Sequence, residues 1–179
     1  KFTVETVDAK NKKKLIQTWE NNMDIENEPK ITNLTAKKIK PYTKITFTID
    51  IDKFNIKKIS NDIIRLIDKR TYDLAATVGI NSKIYLNDEK INFNNFKNYI
   101  ELFIDSESKL VYDRFSEDWQ IGVVYKPDQG YKQVSYVNGM CTFNGGNHVK
   151  YIEDHIIKEL VKVMKKKSKD VKIKANHLK

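Results

Sequence analysis

The chain has 179 residues, room for one ordinary domain or parts of two. Its 40% apolar content suffices for a real core, and its 32% charged content marks a polar surface. No uninterrupted apolar run approaches the roughly 18 residues of a bilayer span. The single cysteine, Cys141, excludes an intramolecular disulfide and any multi-cysteine zinc site, and reads as a small buried apolar residue. The net charge of +9 is unevenly spread. Residues 150–179 hold ten lysines against Glu153, Asp154, Glu159 and Asp170, a local +6 that points to a polyanionic partner.

The first residues, Lys1-Phe2-Thr3-Val4-Glu5-Thr6, alternate like a strand, with no initiator Met and no signal-peptide core, and read as part of a longer chain. Residues 1–50 are expected to be strands. Leu15 to Trp19 follow a lysine-rich turn at Lys12–Lys14, and Ile45, Phe47 and Ile49 alternate with Thr46, Thr48 and Asp50. Between them residues 21–42, with Pro29 and Pro41, are expected to form an exposed excursion. A helix is predicted over residues 56–71, with Ile59, Ile63, Ile64 and Ile67 on one face. A strand at residues 83–86 and a turn at residues 87–90 follow. The Asn-rich stretch 92–95 is the best candidate for a domain boundary, dividing the chain into 1–94 and 95–179.

Beyond it, Phe96, Tyr99, Ile100 and Phe103 predict a short amphipathic helix. Three strands are expected at 110–115, 119–125 and 131–137. The second has Trp119, Ile121, Val123 and Tyr125 on one face, and Pro127-Asp128-Gln129-Gly130 joins it to the third as a hairpin. A long helix is predicted from Asn147, its N-cap, with Val149, Ile152, Ile156, Leu160, Val163 and Met164 as the buried stripe. Such a helix is about 30 Å long. It ends in Lys165-Lys166-Lys167, where positive charge suits the negative end of the helix dipole. Short strands with segregated helices indicate an α+β arrangement.

Three features bear on chemistry. Gly145-Gly146-Asn147-His148 opens a helix, but no Lys-Ser/Thr pair follows, so it reads as a tight strand-to-helix connection and not a P-loop. His148, His155 and His177 have no metal-ligand spacing. No nucleophile–base–orienter set is visible, so no catalytic residue, cofactor-binding residue or metal ligand is assigned. Lys165, Lys166 and Lys167 are the candidate DNA-binding residues, either contacting nucleic-acid phosphates or simply solvating a helix end.

Gln133-Val134-Ser135-Tyr136-Val137-Asn138, then Thr142 and Gly145-Gly146-Asn147-His148-Val149, resembles the Q-x-S-F-V-N…T-x-x-G-G-x-H-V pattern of eukaryotic-type (type IIA) DNA topoisomerase II. Segments 1–6, 17–23, 70–75, 85–87, 95–99 and 118–120 look like the same family in the same order. Tyr136 stands for the usual Phe, Gly139 for Ser, Cys141 for Ala and Asn147 for Thr or Arg. The 105–109 connection is short and the 21–42 excursion long.

The resemblance implies that 1–94 is the C-terminal part of a GHKL-type ATPase domain. Residues 95–179 would be most of a transducer domain with a ribosomal-S5-domain-2-like fold. It implies a parent that uses ATP and Mg2+, works as a nuclear homodimer on double-stranded DNA without a membrane, and passes one duplex through a transient break in another. The ATP-binding and cleavage elements of that family match nothing in this sequence, so the fragment alone is expected to bind no nucleotide and to be inactive. Lys165, Lys166 and Lys167 match the lysine cluster with which the family contacts DNA. Rival readings are a mismatch-repair-type GHKL ATPase fragment, a non-enzymatic nucleic-acid-binding α+β module, and an interaction domain whose lysines only confer solubility.

Overall fold

The computed structural model describes residues 1–79, 81–116, 118–127 and 129–167. The chain divides into two compact units, residues 1–61 and the residues from 62 onward. This division in space precedes the family-domain boundary expected near residue 94.

In the first unit the alternation of residues 1–50 folds into an antiparallel sheet. Strand β1 (Phe2–Asp8) lies at its centre, between β2 (Lys13–Glu20) and β5 (Tyr42–Phe47). The β1–β2 turn is set by Asp8, whose Oδ1 accepts from the amides of Lys10 and Asn11 at 2.9 and 3.0 Å, with Lys12 taking a positive φ of 49°. The excursion over 21–42 is exposed as expected but is not irregular. Two short strands, β3 (Ile25–Glu26) and β4 (Lys30–Asn33), pair antiparallel with the outer edge of β2. The edge amides and carbonyls of β2 need partners, and the ladder resumes at Lys30 because Pro29 has no N–H to donate.

The pairing Val4↔Ile45, Phe2↔Phe47, Phe2↔Trp19 and Leu15↔Ile31 puts seven large apolar residues on one sheet face. Ile31, Ile45 and Phe47 on that face are exposed among the described residues.

In the second unit the first helix is α1 (Asn61–Thr77), displaced from the expected 56–71. Ser60, a residue type favoured at helix entry, immediately precedes it, so Ile59 lies outside. The expected stripe is also corrected. Ile63, Ile64 and Ile67 are exposed, and burial falls on Asp73, Ala75 and Ala76 in the C-terminal half. Residues 87–90 are not all turn. Asn87 and Asp88, with φ of 51° and 66°, make the two-residue loop of a hairpin between β6 (Tyr85–Leu86) and β7 (Glu89–Lys90).

The predicted short helix is α2 (Phe96–Glu101), capped by Asn95, whose side chain accepts from the Asn98 amide at 2.9 Å. Strands β8 (Leu110–Arg114) and β9 (Gln120–Val124) pair antiparallel. Ile100 of α2 packs so closely on Gly122 that a Cβ there would collide with its Cδ1. Of the face shared by Trp119, Ile121, Val123 and Tyr125, Ile121 is half-buried and the other three are exposed, Tyr125 to 84%.

A further correction concerns the third expected strand. Of 131–137 only β10 (Tyr136–Val137) is a strand, and its partner is β11 (Met140–Cys141) rather than β9. Asn138 and Gly139, with φ of 49° and 74°, form the two-residue turn of the β10–β11 hairpin. Asp128 of that loop lies outside the described residues.

Helix α3 (Asn147–Lys167) is as long as expected. Its cap position is Gly146, whose carbonyl accepts from the Lys150 amide at 3.0 Å, and Asn147 is already helical. Its stripe is buried only in part. Val149, Ile152 and Ile156 are half-buried and Ile157, absent from the predicted stripe, is 7% exposed, whereas Leu160, Val163 and Met164 are exposed. Among the described residues, the buried apolar core of this unit is Ala75, Ala76, Ile91, Tyr99 and Ile157.

Candidate nucleic-acid interface

Helix α3 is held at its start by the motif residues. Gln133 Nε2 donates to the Phe143 carbonyl at 2.9 Å and to that of Thr142 at 3.4 Å. The hydroxyls of Ser135 and Thr142 are 2.5 Å apart, and Thr142 Oγ1 lies 3.2 Å from His148 Nε2. Gly145 has φ 70° and Gly146 φ 154°. A Cβ on Gly146 would stand 3.0 Å from the His148 ring, so the imidazole fills the space beside the glycine.

The other end of α3 is different. Lys165, Lys166 and Lys167 form its last turn, all exposed, where the unsatisfied carbonyls attract cations. Lys169, Lys172, Lys174 and His177 lie outside the described residues. His155 is on the same helix, its Nδ1 3.3 Å from the Tyr151 carbonyl and its ring centroid 4.6 Å from that of the tyrosine. His148 and His155 are thus used in separate local contacts, and no cluster of three metal-ligating side chains occurs among the described residues. Cys141 is half-buried rather than buried, as a free thiol.

Sequence reading missed the main buried polar group. Asp73, 2% exposed, accepts from Lys69 Nζ at 2.8 and 3.0 Å, from Tyr99 OH at 2.6 Å and from Tyr136 OH at 2.9 Å. The two phenol oxygens are 2.6 Å apart. Burial pushes the Asp73 carboxyl up, but donation from Lys69, Tyr99 and Tyr136 outweighs it and holds the acid below its ordinary value. Burial, together with the neighbouring carboxylate, pushes both phenols well above theirs.

The cluster ties α1 to α2 and to the β10–β11 hairpin. Arg70 adds a second tie by donating to the Gly139 carbonyl at 2.5 Å. The Lys69–Asp73 spacing of four was the local signal in the sequence, and Asp73, Tyr99 and Tyr136 each fall in a segment that carries the family resemblance. The tyrosines come from 26 and 63 residues away, a meeting that no spacing reveals.

Comparison with known proteins gives consistent results. The DNA gyrase B family model matches residues 77–179. The chain is 43% identical over 178 residues to the DNA topoisomerase 2 of Acanthamoeba polyphaga mimivirus, covering 97% of this chain and 14% of the relative. It is 38% identical over 189 residues to that of Candida glabrata, covering 96% and 13%. The chain thus spans only about an eighth of the length of the curated relatives it matches.

Among solved structures, the ATPase region of Saccharomyces cerevisiae topoisomerase II superposes with a TM-score of 0.84 at 36% identity, over 97% of this chain and 44% of that one. The ATPase and transducer domains of DNA topoisomerase II from Balamuthia mandrillaris give 0.84 at 35%, over 94% and 43%. Likeness in sequence and in structure thus runs over nearly the whole chain, and the chain belongs to the DNA gyrase B family, its resemblance there being to the ATPase region of eukaryotic-type DNA topoisomerase II.

Proposed function

We propose that this chain is the relay between nucleotide and DNA in an ATP-dependent type II topoisomerase, an isomerase that passes one duplex through a transient double-strand break in another. Residues 1–94 are read as the C-terminal part of its GHKL-type ATPase domain. Residues 95–179 are read as most of an S5-domain-2-like transducer. The relatives described above all carry topoisomerase names, which supports this reading over a mismatch-repair ATPase. ATP and Mg2+ belong to the parent and are assigned to no residue here. Homodimerisation belongs to the same reading. The eukaryotic sources of several relatives support a nuclear place of action.

The mechanical part rests on this chain's own residues. The Asp73 cluster and the Arg70–Gly139 bond fasten the β10–β11 hairpin to α1. The hairpin runs straight into Thr142 and the Gly145–Gly146 turn, which launches α3. A tilt of α1 is therefore passed to a rigid rod of 21 residues, whose far end about 30 Å away carries three lysines. Lysine is a mobile point charge, so contact there positions a duplex without reading its bases.

The observation that carries the reading is the exposed triple-lysine last turn on a helix anchored at its other end. It is tested by duplex-DNA binding across a salt series, beside the variant with Lys165, Lys166 and Lys167 all changed to Ala. If each lysine neutralises one phosphate, the variant's log–log salt slope is shallower by roughly 2.7, at about 0.9 per phosphate. An unchanged slope reassigns the cluster to a solvated helix end.

A further inference from the structure

Helix α3 carries more positive charge than its last turn, and the additional charge is ordered. At about 100° per residue, Lys158, Lys162 and Lys165 fall within about 60° of one another, while the three tip lysines fan around the axis. All three of the ordered lysines are exposed. On average they point away from Val149, Ile152 and Ile156, the half-buried side of the helix, with Lys162 about 80° from Ile152 and Lys165 about 80° from the buried Ile157. From Lys158 to Lys165 the rise is about 10 Å, long enough to reach more than one phosphate of a duplex that carries one charge per about 1.7 Å of its axis.

Within this row Lys162 pairs with Glu159 at 2.6 Å. Both side chains are more than half exposed, so the pair is weak and readily exchanged for a phosphate contact.

We infer that the duplex-binding surface is a stripe along the outer face of α3, with Lys158 and Lys162 contacting the phosphate backbone in line with Lys165, and not a patch confined to the helix tip. The inference rests on the DNA-binding reading given above and extends it by two residues on the helix side. Its geometric consequence is that a bound duplex runs alongside α3 and does not merely abut its end.

The test is duplex-DNA affinity of the full 179-residue chain across a salt series, in four forms. These are the unaltered chain, Lys158→Ala/Lys162→Ala, the triple tip variant, and Lys37→Ala/Lys38→Ala as a control that removes the same charge from exposed residues of the first unit. Alanine is the best helix former, so the substitutions on α3 keep it folded, which circular dichroism verifies. The expected result is a slope reduced by about 1.8 in Lys158→Ala/Lys162→Ala and unchanged in the control. A slope in Lys158→Ala/Lys162→Ala equal to the control's, with the tip variant still shallower, overturns the stripe and leaves tip binding standing. Absence of salt-dependent binding by the unaltered chain overturns both.

Discussion

At the scale of single residues, Asp73 is where most is at stake. A carboxylate 2% exposed stays ionised only because three side chains donate to it. Asp73→Asn leaves Lys69 and the two phenols without their anionic acceptor. Charge-assisted hydrogen bonds contribute about 1.5–3 kcal/mol each, so the second unit should lose about 2–4 kcal/mol in urea unfolding. Tyr136→Phe removes one donor to the carboxylate and leaves two, and should cost about 1.5–3 kcal/mol.

The pH dependence has a definite sign. The folded-state pKa of Asp73 lies below the ordinary 3.8, so its stabilisation is fully present above that value and is lost as pH falls through the lowered one. Asp73→Asn should therefore flatten the acid limb of stability against pH, measured between about pH 2 and pH 5. The raised phenols act oppositely. Their contribution is present below the ordinary 10 and is lost as pH rises through the higher folded values.

At the scale of elements, turns and helix ends obey local rules that the sequence displays. Asn87-Asp88 and Asn138-Gly139 both adopt the positive φ pair that a two-residue hairpin loop requires. Gly146 combines φ 154° with a His148 ring 3.0 Å from any added Cβ. Gly146→Ala should thus destabilise by about 1–3 kcal/mol, read as a lowered melting temperature with the helix content of the folded state retained.

Helix burial is less legible. Both α1 and α3 have apolar stripes in sequence, yet neighbouring elements cover only half of each. Ile157→Ala should cost about 2–4 kcal/mol as a cavity in the core. Leu160→Ala, just beyond the covered stretch and exposed, should cost about 1 kcal/mol or less. Equal effects of the two would show that α3 packs along its whole length.

For the molecule as a whole, charge and exposed apolar surface matter most. Ten of its lysines lie in residues 150–179. If the tip and stripe lysines of α3 contact about five phosphates, DNA affinity should fall about 500-fold between 50 and 200 mM salt, measurable by fluorescence anisotropy. A fall of less than about tenfold would limit the interface to one or two contacts. The apolar sheet face of the first unit, with Ile31, Ile45 and Phe47 exposed, shows that alternation alone does not secure burial.

What the sequence determined by itself was local. Strand character within residues 1–50, the short helix with Phe96, Tyr99, Ile100 and Phe103, the helix after Gly145-Gly146 and its triple-lysine end all follow from period and turn chemistry within a few residues. So does the family, because its motifs are contiguous. Tertiary structure decided which faces are covered, where the excursion docks, and that Tyr136 pairs with Cys141 across Asn138-Gly139 rather than extending a sheet from β9. It also decided that Asp73 meets Tyr99 and Tyr136. The physical reason is range: hydrogen-bond caps and dihedral preferences act over two to four residues, whereas burial and the pairing of a buried charge depend on segments brought together only by folding.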